Sequence, residues 1–127
     1  MTIQQGEFCW NELMTPDASK AKEFYGDLLG WTSHDLDMGE MTYTLFKSGD
    51  KDIGGMMQTP TGQEENIPPH WMSYIMVDDI DVMCEKAASL GASLEVPIQT
   101  IENTGRFCLL KDPTGAHIAL WQQDKKS

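Results

Sequence analysis

Two stretches of this chain follow the same pattern about sixty residues apart, and that repetition limits its possible folds more than any other feature. Leu29-Gly30 and Leu90-Gly91 are separated by 61 positions, as are Asp17 and Asp78. Nearer the end of each stretch, Met56-Met57-Gln58 and Leu120-Trp121-Gln122 are separated by 64, a slip that a longer hairpin in the second copy absorbs. At 127 residues the chain can bury one core but not two independent ones, so the copies must share it.

Within the first copy, Thr15-Pro16-Asp17 supplies capping residues. Ala18, Ala21, Phe24, Tyr25, Leu28 and Leu29 then recur at helical spacing until Gly30 stops the run. The spacing predicts a helix over 17–29. A strand is expected before it at 8–14, and three after it at 31–36, 41–47 and 53–59, split by glycine turns. The polar, proline-bearing segment 61–69 reads as a linker. The order then repeats: a strand at 70–77, a helix opened by Asp78-Asp79 and closed by Gly91, and strands at 93–100, 105–111 and 116–122. The expected fold is α+β. Two βαβββ modules, about 6–59 and 70–123 with a linker over 60–69, form one domain spanning 1–127. A lone module would leave one sheet face open to water, so the modules are expected to face inward around a shared cavity.

Charge excludes some functions. Twenty acidic against nine basic residues give a net charge of −11, which repels phosphate backbones and anionic lipid surfaces, so neither nucleic acid nor membrane is an expected partner. No leader-like start and no apolar run of membrane-spanning length is present, which leads to the expectation of a cytoplasmic protein. Cys9, Cys84 and Cys108 are odd in number and lack CxxC spacing, so they read as reduced, mostly buried thiols rather than a disulfide framework or zinc knuckle.

Glu12-Leu13-Met14-Thr15-Pro16-Asp17, Phe24-Tyr25 and Leu29-Gly30-Trp31 resemble the first module of the vicinal oxygen chelate superfamily of glyoxalases, bleomycin resistance proteins and extradiol dioxygenases. Val77-Asp78-Asp79, Leu90-Gly91-Ala92 and Asp112-Pro113-Thr114-Gly115 resemble its second module. The match spans nearly the whole chain. The pattern WxELxTxD with a glycine pair in the fourth strand is similar to a glyoxalase-like subgroup whose chemistry is mostly unassigned. The resemblance implies paired modules and a homodimer. In the metal-dependent members it implies one divalent ion held by four His, Glu or Gln side chains from the first and last strands of each module.

Counting from the motifs puts those four slots at Trp10, Gly55, Met72 and Ala119, none of which offers an oxygen or an imidazole. A shift of one residue turns a strand side chain to the opposite face, so only shifts of two could rescue the set. Such shifts find Glu12, His70 and His117. Glu12 lies after its slot and the histidines before theirs, with two residues spanning about 6.6 Å of strand. No cofactor is therefore expected, with a divalent metal on that displaced triad as the alternative.

Strand alternation turns Phe8, Trp10, Glu12 and Met14 inward, with His70, Met72, Tyr74 and Met76 from the fifth strand and His117, Ala119 and Trp121 from the eighth. A lining rich in aromatic and thioether groups suits a small, partly aromatic ligand, or else simply fills the core. Trp10, Glu12, Met72, Tyr74, Arg106 and Trp121 are the candidate ligand-binding residues. Glu12 is the candidate catalytic residue: its carboxylate is either paired, with Arg106 or a lysine as partner, or raised toward general-base duty. Arg106, the only arginine, either anchors a ligand anion or is a surface charge. Cys9 and Cys108 lack a motif that supplies a base. Two readings remain: a metal-free small-molecule-binding protein, or a lyase, isomerase or dioxygenase using the displaced metal set or Glu12. A partner-binding subunit, signalled by an exposed apolar patch, is a third.

Overall fold

A computed structural model of the protein describes residues 3–37 and 42–124. Among them the elements run β1 (Phe8–Thr15), α1 (Ala18–Leu29), β2 (Thr32–Asp37), β3 (Thr42–Ser48), β4 (Lys51–Gln58), β5 (His70–Met76), α2 (Ile80–Ser89), β6 (Ser93–Ile101), β7 (Gly105–Lys111) and β8 (His117–Gln123). This is the expected α+β fold of two βαβββ modules. Met41, expected to begin β3, lies outside the described residues. The chain separates into two compact units, Trp10–Met72 and Met1–Cys9 with Ser73–Ser127, so the cuts fall inside β1 and β5 rather than at the linker.

In the unit Trp10–Met72 the strands lie in the order β2-β3-β4-β1, with β1 and β4 parallel and the other neighbours antiparallel. Gly49, at φ 62°, makes the tight β3–β4 turn, which is why pairing reaches Ser48 and Lys51 and β4 starts two residues earlier than expected. Helix α1 covers one face. Leu13, Phe46 and Met56 are buried there, with Ala18, Ala21, Tyr25, Trp31 and Ile53 packed on them. The rest of the helix's apolar periodicity is not used for burial, since Phe24, Leu28 and Leu29 are more than half exposed.

The other unit orders its strands β5-β8-β7-β6, with β5 and β8 parallel. Helix α2 buries its own Ile80 with Val77, Cys108, Leu110 and Leu120, its side of the core. β8 begins at His117 because the Ala116 N–H instead donates to the Asp112 carboxylate that shapes the preceding turn.

Register ties the two copies together more closely than sequence matching does. Glu12 pairs with Gly55 and Tyr74 with Ala119, so residue 74 follows 12 by 62 and residue 119 follows 55 by 64. The helix starts repeat too. Asp17 Oδ1 accepts from the Lys20 N–H and Asp79 Oδ1 from the Val82 N–H, at 3.0 and 3.2 Å. The first N–H of α1 donates to Gln58 Oε1 and that of α2 to Gln122 Oε1, at 3.0 and 2.8 Å. The equivalent caps are thus Asp17 and Asp79, 62 apart, one more than the sequence match with Asp78 suggests. Each glutamine satisfies a helix N–H that would otherwise lack an intrahelical partner.

Candidate functional site

On the first unit the face away from α1 carries Trp10, Glu12 and Gly55, opposite in parity to the buried Leu13 and Met56. Tyr43, on β3, joins them. Its hydroxyl accepts from Trp10 Nε1 at 2.8 Å and donates to the Glu12 carboxylate, and its ring lies directly across Gly55. A Cβ at position 55 would overlap the hydroxyl and ring carbons, so this glycine is required by close approach rather than by backbone conformation. Burial first, and then the Glu12 charge and its acceptance of the hydroxyl proton, push the Tyr43 ionisation well above its ordinary value.

That shift has a sign that can be tested. A tyrosine that holds its proton more tightly when folded leaves stability unaffected below the unfolded value near 10 and lowers it as pH rises beyond. Unfolding free energies from urea titrations at pH 8.5 to 11 are expected to fall by an extra ~1.4 kcal/mol per pH unit above about pH 10. Tyr43→Phe should lack that extra slope; equal slopes in the two proteins would refute the buried phenol.

In the second unit the face away from α2 carries Tyr74, Phe107, Ala119 and Trp121. The Tyr74 and Phe107 ring centroids are 6.3 Å apart. The Trp121 indole lies over Gly105, and its Nε1 donates to Gln123 Oε1 at 3.0 Å. Among the described residues, an aromatic ring therefore covers a glycine on a neighbouring strand in each unit.

Arg106 turns to the opposite face, sharing the parity of buried Cys108. Its Nη2 reaches both Asp81 carboxylate oxygens on α2 at 2.9 Å, so Arg106 is committed to helix α2, while Glu12 is bonded by Tyr43. Met72 and Ala119 are buried. His70 Nδ1 lies 2.8 Å from the Pro68 carbonyl, and the exposed His117 Nε2 lies 3.6 Å from Glu95. Cys9 Sγ donates to the Tyr74 carbonyl at 3.5 Å, and burial raises its pKa.

The residues at the four slots do not fit a divalent ion. Trp10, Gly55, Met72 and Ala119 present no hard donor, and the Tyr43 ring fills the space a side chain at 55 would need. Among the described residues no three His, Cys, Asp or Glu side chains gather as a ligand set.

A second aromatic feature of the first unit lies on its α1 face, where sequence reasoning singled out no site. Asn11, Tyr25, Trp31, Ile53 and Trp71 line an open recess of about 430 Å³. Tyr25 and Trp31 stack at 5.3 Å and 20°, and Trp71 Nε1 donates to the Tyr25 hydroxyl at 3.0 Å. Gly54 borders the recess, where a Cβ would press on the Asn11 carbonyl at 2.9 Å and make only ordinary contact with the Trp71 ring at 3.9 Å. The glycine pair at 54 and 55 was the available signal: adjacent strand glycines expose opposite faces, one beneath the Tyr43 ring and the other against the Asn11 backbone.

The family model of the Glyoxalase/Bleomycin resistance protein/Dioxygenase superfamily matches residues 8–120. CFP32 of Mycobacterium tuberculosis, provisionally named a glyoxylase, is 35% identical over 124 residues, covering 96% of this chain and 48% of that protein. The anthracycline biosynthesis protein DnrV of Streptomyces peucetius is 26% identical over 130 residues, covering 93% and 47%. The chain thus spans about half the length of the curated relatives it matches. The crystal structure of a methylmalonyl-CoA epimerase from Mycobacterium tuberculosis is similar in fold, with a TM-score of 0.64, 19% identity, and coverage of 98% of this chain and 93% of that one.

Proposed function

The chain belongs to the Glyoxalase/Bleomycin resistance protein/Dioxygenase superfamily, and from that premise we propose that it binds a small, partly aromatic molecule without using the metal ligands usual in that family. The observation that carries this reading is the Tyr43 ring across Gly55, held by Trp10 and Glu12. A ligand slot closed by a hydrogen-bonded aromatic ring offers a flat, apolar contact surface with one carboxylate beside it, and no oxygen or imidazole donor of its own. DnrV supports the ligand class by name, since anthracyclines are fused-ring aromatic molecules.

The competing reading is a lyase, isomerase or dioxygenase that uses Glu12 as a base or holds a divalent metal on a displaced set. What favours it is the Glu12–Tyr43 pair, a carboxylate accepting a hydrogen bond from a phenol, which places a potential base beside a potential acid.

Protein purified without chelators, examined by native mass spectrometry and elemental analysis, separates the two. The expected result is a retained organic adduct that Trp10→Ala releases and Trp71→Ala does not, with metal well below stoichiometric. Stoichiometric metal lost in Glu12→Gln would defeat the binding reading. Release by Trp71→Ala alone would move the site to the recess on the α1 face.

A homodimer is proposed as well. The exposed Phe24, Leu28 and Leu29 of α1 support it, as an apolar group that self-association would cover. Sedimentation is expected to give twice the 14.3 kDa chain mass, reverting to one chain mass in Phe24→Lys/Leu28→Lys if that face is used.

A further inference from the structure

We infer that Cys84 and Cys108 form a redox couple, a dithiol that a hydroperoxide converts to a disulfide tying α2 to β7. Cys84 lies on the helix and Cys108 on the strand beneath it, with Sγ atoms 2.9 Å apart. A disulfide needs about 2.05 Å, so a closing movement of about 0.9 Å joins them. Both are free thiols within one unit, 24 residues apart in sequence, and both belong to the apolar layer between α2 and its sheet.

Their unequal burial orders the chemistry. Cys108 is fully buried, whereas Cys84 is only partly so, which makes it the residue of the pair nearer to an oxidant in solvent. Burial first, and then the neighbouring Cys84 sulfur, raise the Cys108 thiol, and its full burial keeps it from meeting the oxidant first. In the first step Cys84 attacks the O–O bond of hydrogen peroxide. It takes one oxygen as a sulfenic acid, and the peroxide is reduced to one water. In the second, the Cys108 sulfur displaces that hydroxyl from Cys84, and the thiol proton leaves with it as a second water. Two thiols lose two electrons in total and one peroxide is consumed. Cys9, which donates to the Tyr74 carbonyl, takes no part.

The test uses the whole protein, reduced, freed of reductant and treated with equimolar hydrogen peroxide, then denatured and alkylated. The expected result is alkylation of Cys9 alone, a mass lower by about two hydrogens before alkylation, and one cross-linked peptide joining residues 84 and 108. A dithiol reductant should return all three thiols. Three alkylated cysteines, a cross-link through Cys9, or Cys84 oxidised to sulfinic acid with Cys108 still free would overturn the couple. Cys84→Ser provides a second check: at the same dose Cys108 should stay unmodified, and its oxidation in that variant would overturn the proposed order of steps.

Discussion

Alanine at position 55 is expected to lower folding stability by about 3 kcal/mol, read as a reduced urea midpoint with an unchanged slope. One methyl group is a small addition, and on an open strand it would stabilise slightly by restricting the unfolded chain. Here it meets the Tyr43 ring, which Trp10 and Glu12 hold from two sides, so the ring cannot swing clear without breaking two hydrogen bonds. The clash and the lost bonds therefore add. Removing the obstacle should relieve the penalty: Gly55→Ala combined with Tyr43→Ala is expected to be more stable than the two single losses together imply, by a coupling of roughly 1–3 kcal/mol. An unchanged midpoint in Gly55→Ala would mean that the ring lies elsewhere.

Phe46→Ala is the second large effect, expected to remove about 3–5 kcal/mol. Phe46 is 1% exposed and, on β3, pairs with Gly54 of β4. Its centroid lies 5.3 Å from Trp31, 6.0 Å from Tyr25 and 6.5 Å from Trp71. Deleting it leaves a void walled by large, rigid rings that collapse poorly, the situation in which truncation costs most. Phe46→Leu should recover more than half of the loss. A measured change below about 1 kcal/mol in Phe46→Ala would remove it from the centre of the cluster.

The order of strands and helices was readable because each signal is local. Gly30 follows the last periodic residue of α1 and adopts φ 75°, and Asp17 precedes the first and accepts from Lys20. Ends were less legible wherever a side chain elsewhere decides them, as when the Asp112 carboxylate draws the Ala116 N–H away from β8. At the site, parity correctly separated Trp10 and Glu12 from Leu13, because alternation is fixed by the pleat. It could not find Tyr43. A ring that reaches diagonally over a neighbouring strand depends on the β3–β4 register, including the irregularity at Phe46/Lys47, and register is not written in either strand alone. Arg106 could have been assigned from its shared parity with Cys108. Its partner Asp81 is 25 residues distant and on a helix, which no spacing rule supplies.

The four indoles are unevenly shared: Trp10, Trp31 and Trp71 fall in Trp10–Met72, and Trp121 alone in the remainder. Intrinsic emission during denaturation consequently follows one half of the molecule about three times as heavily as the other, whereas far-ultraviolet dichroism weighs both. Superimposed curves from the two probes would signify a single cooperative transition, and an earlier optical change would reveal that the tryptophan-rich half yields first.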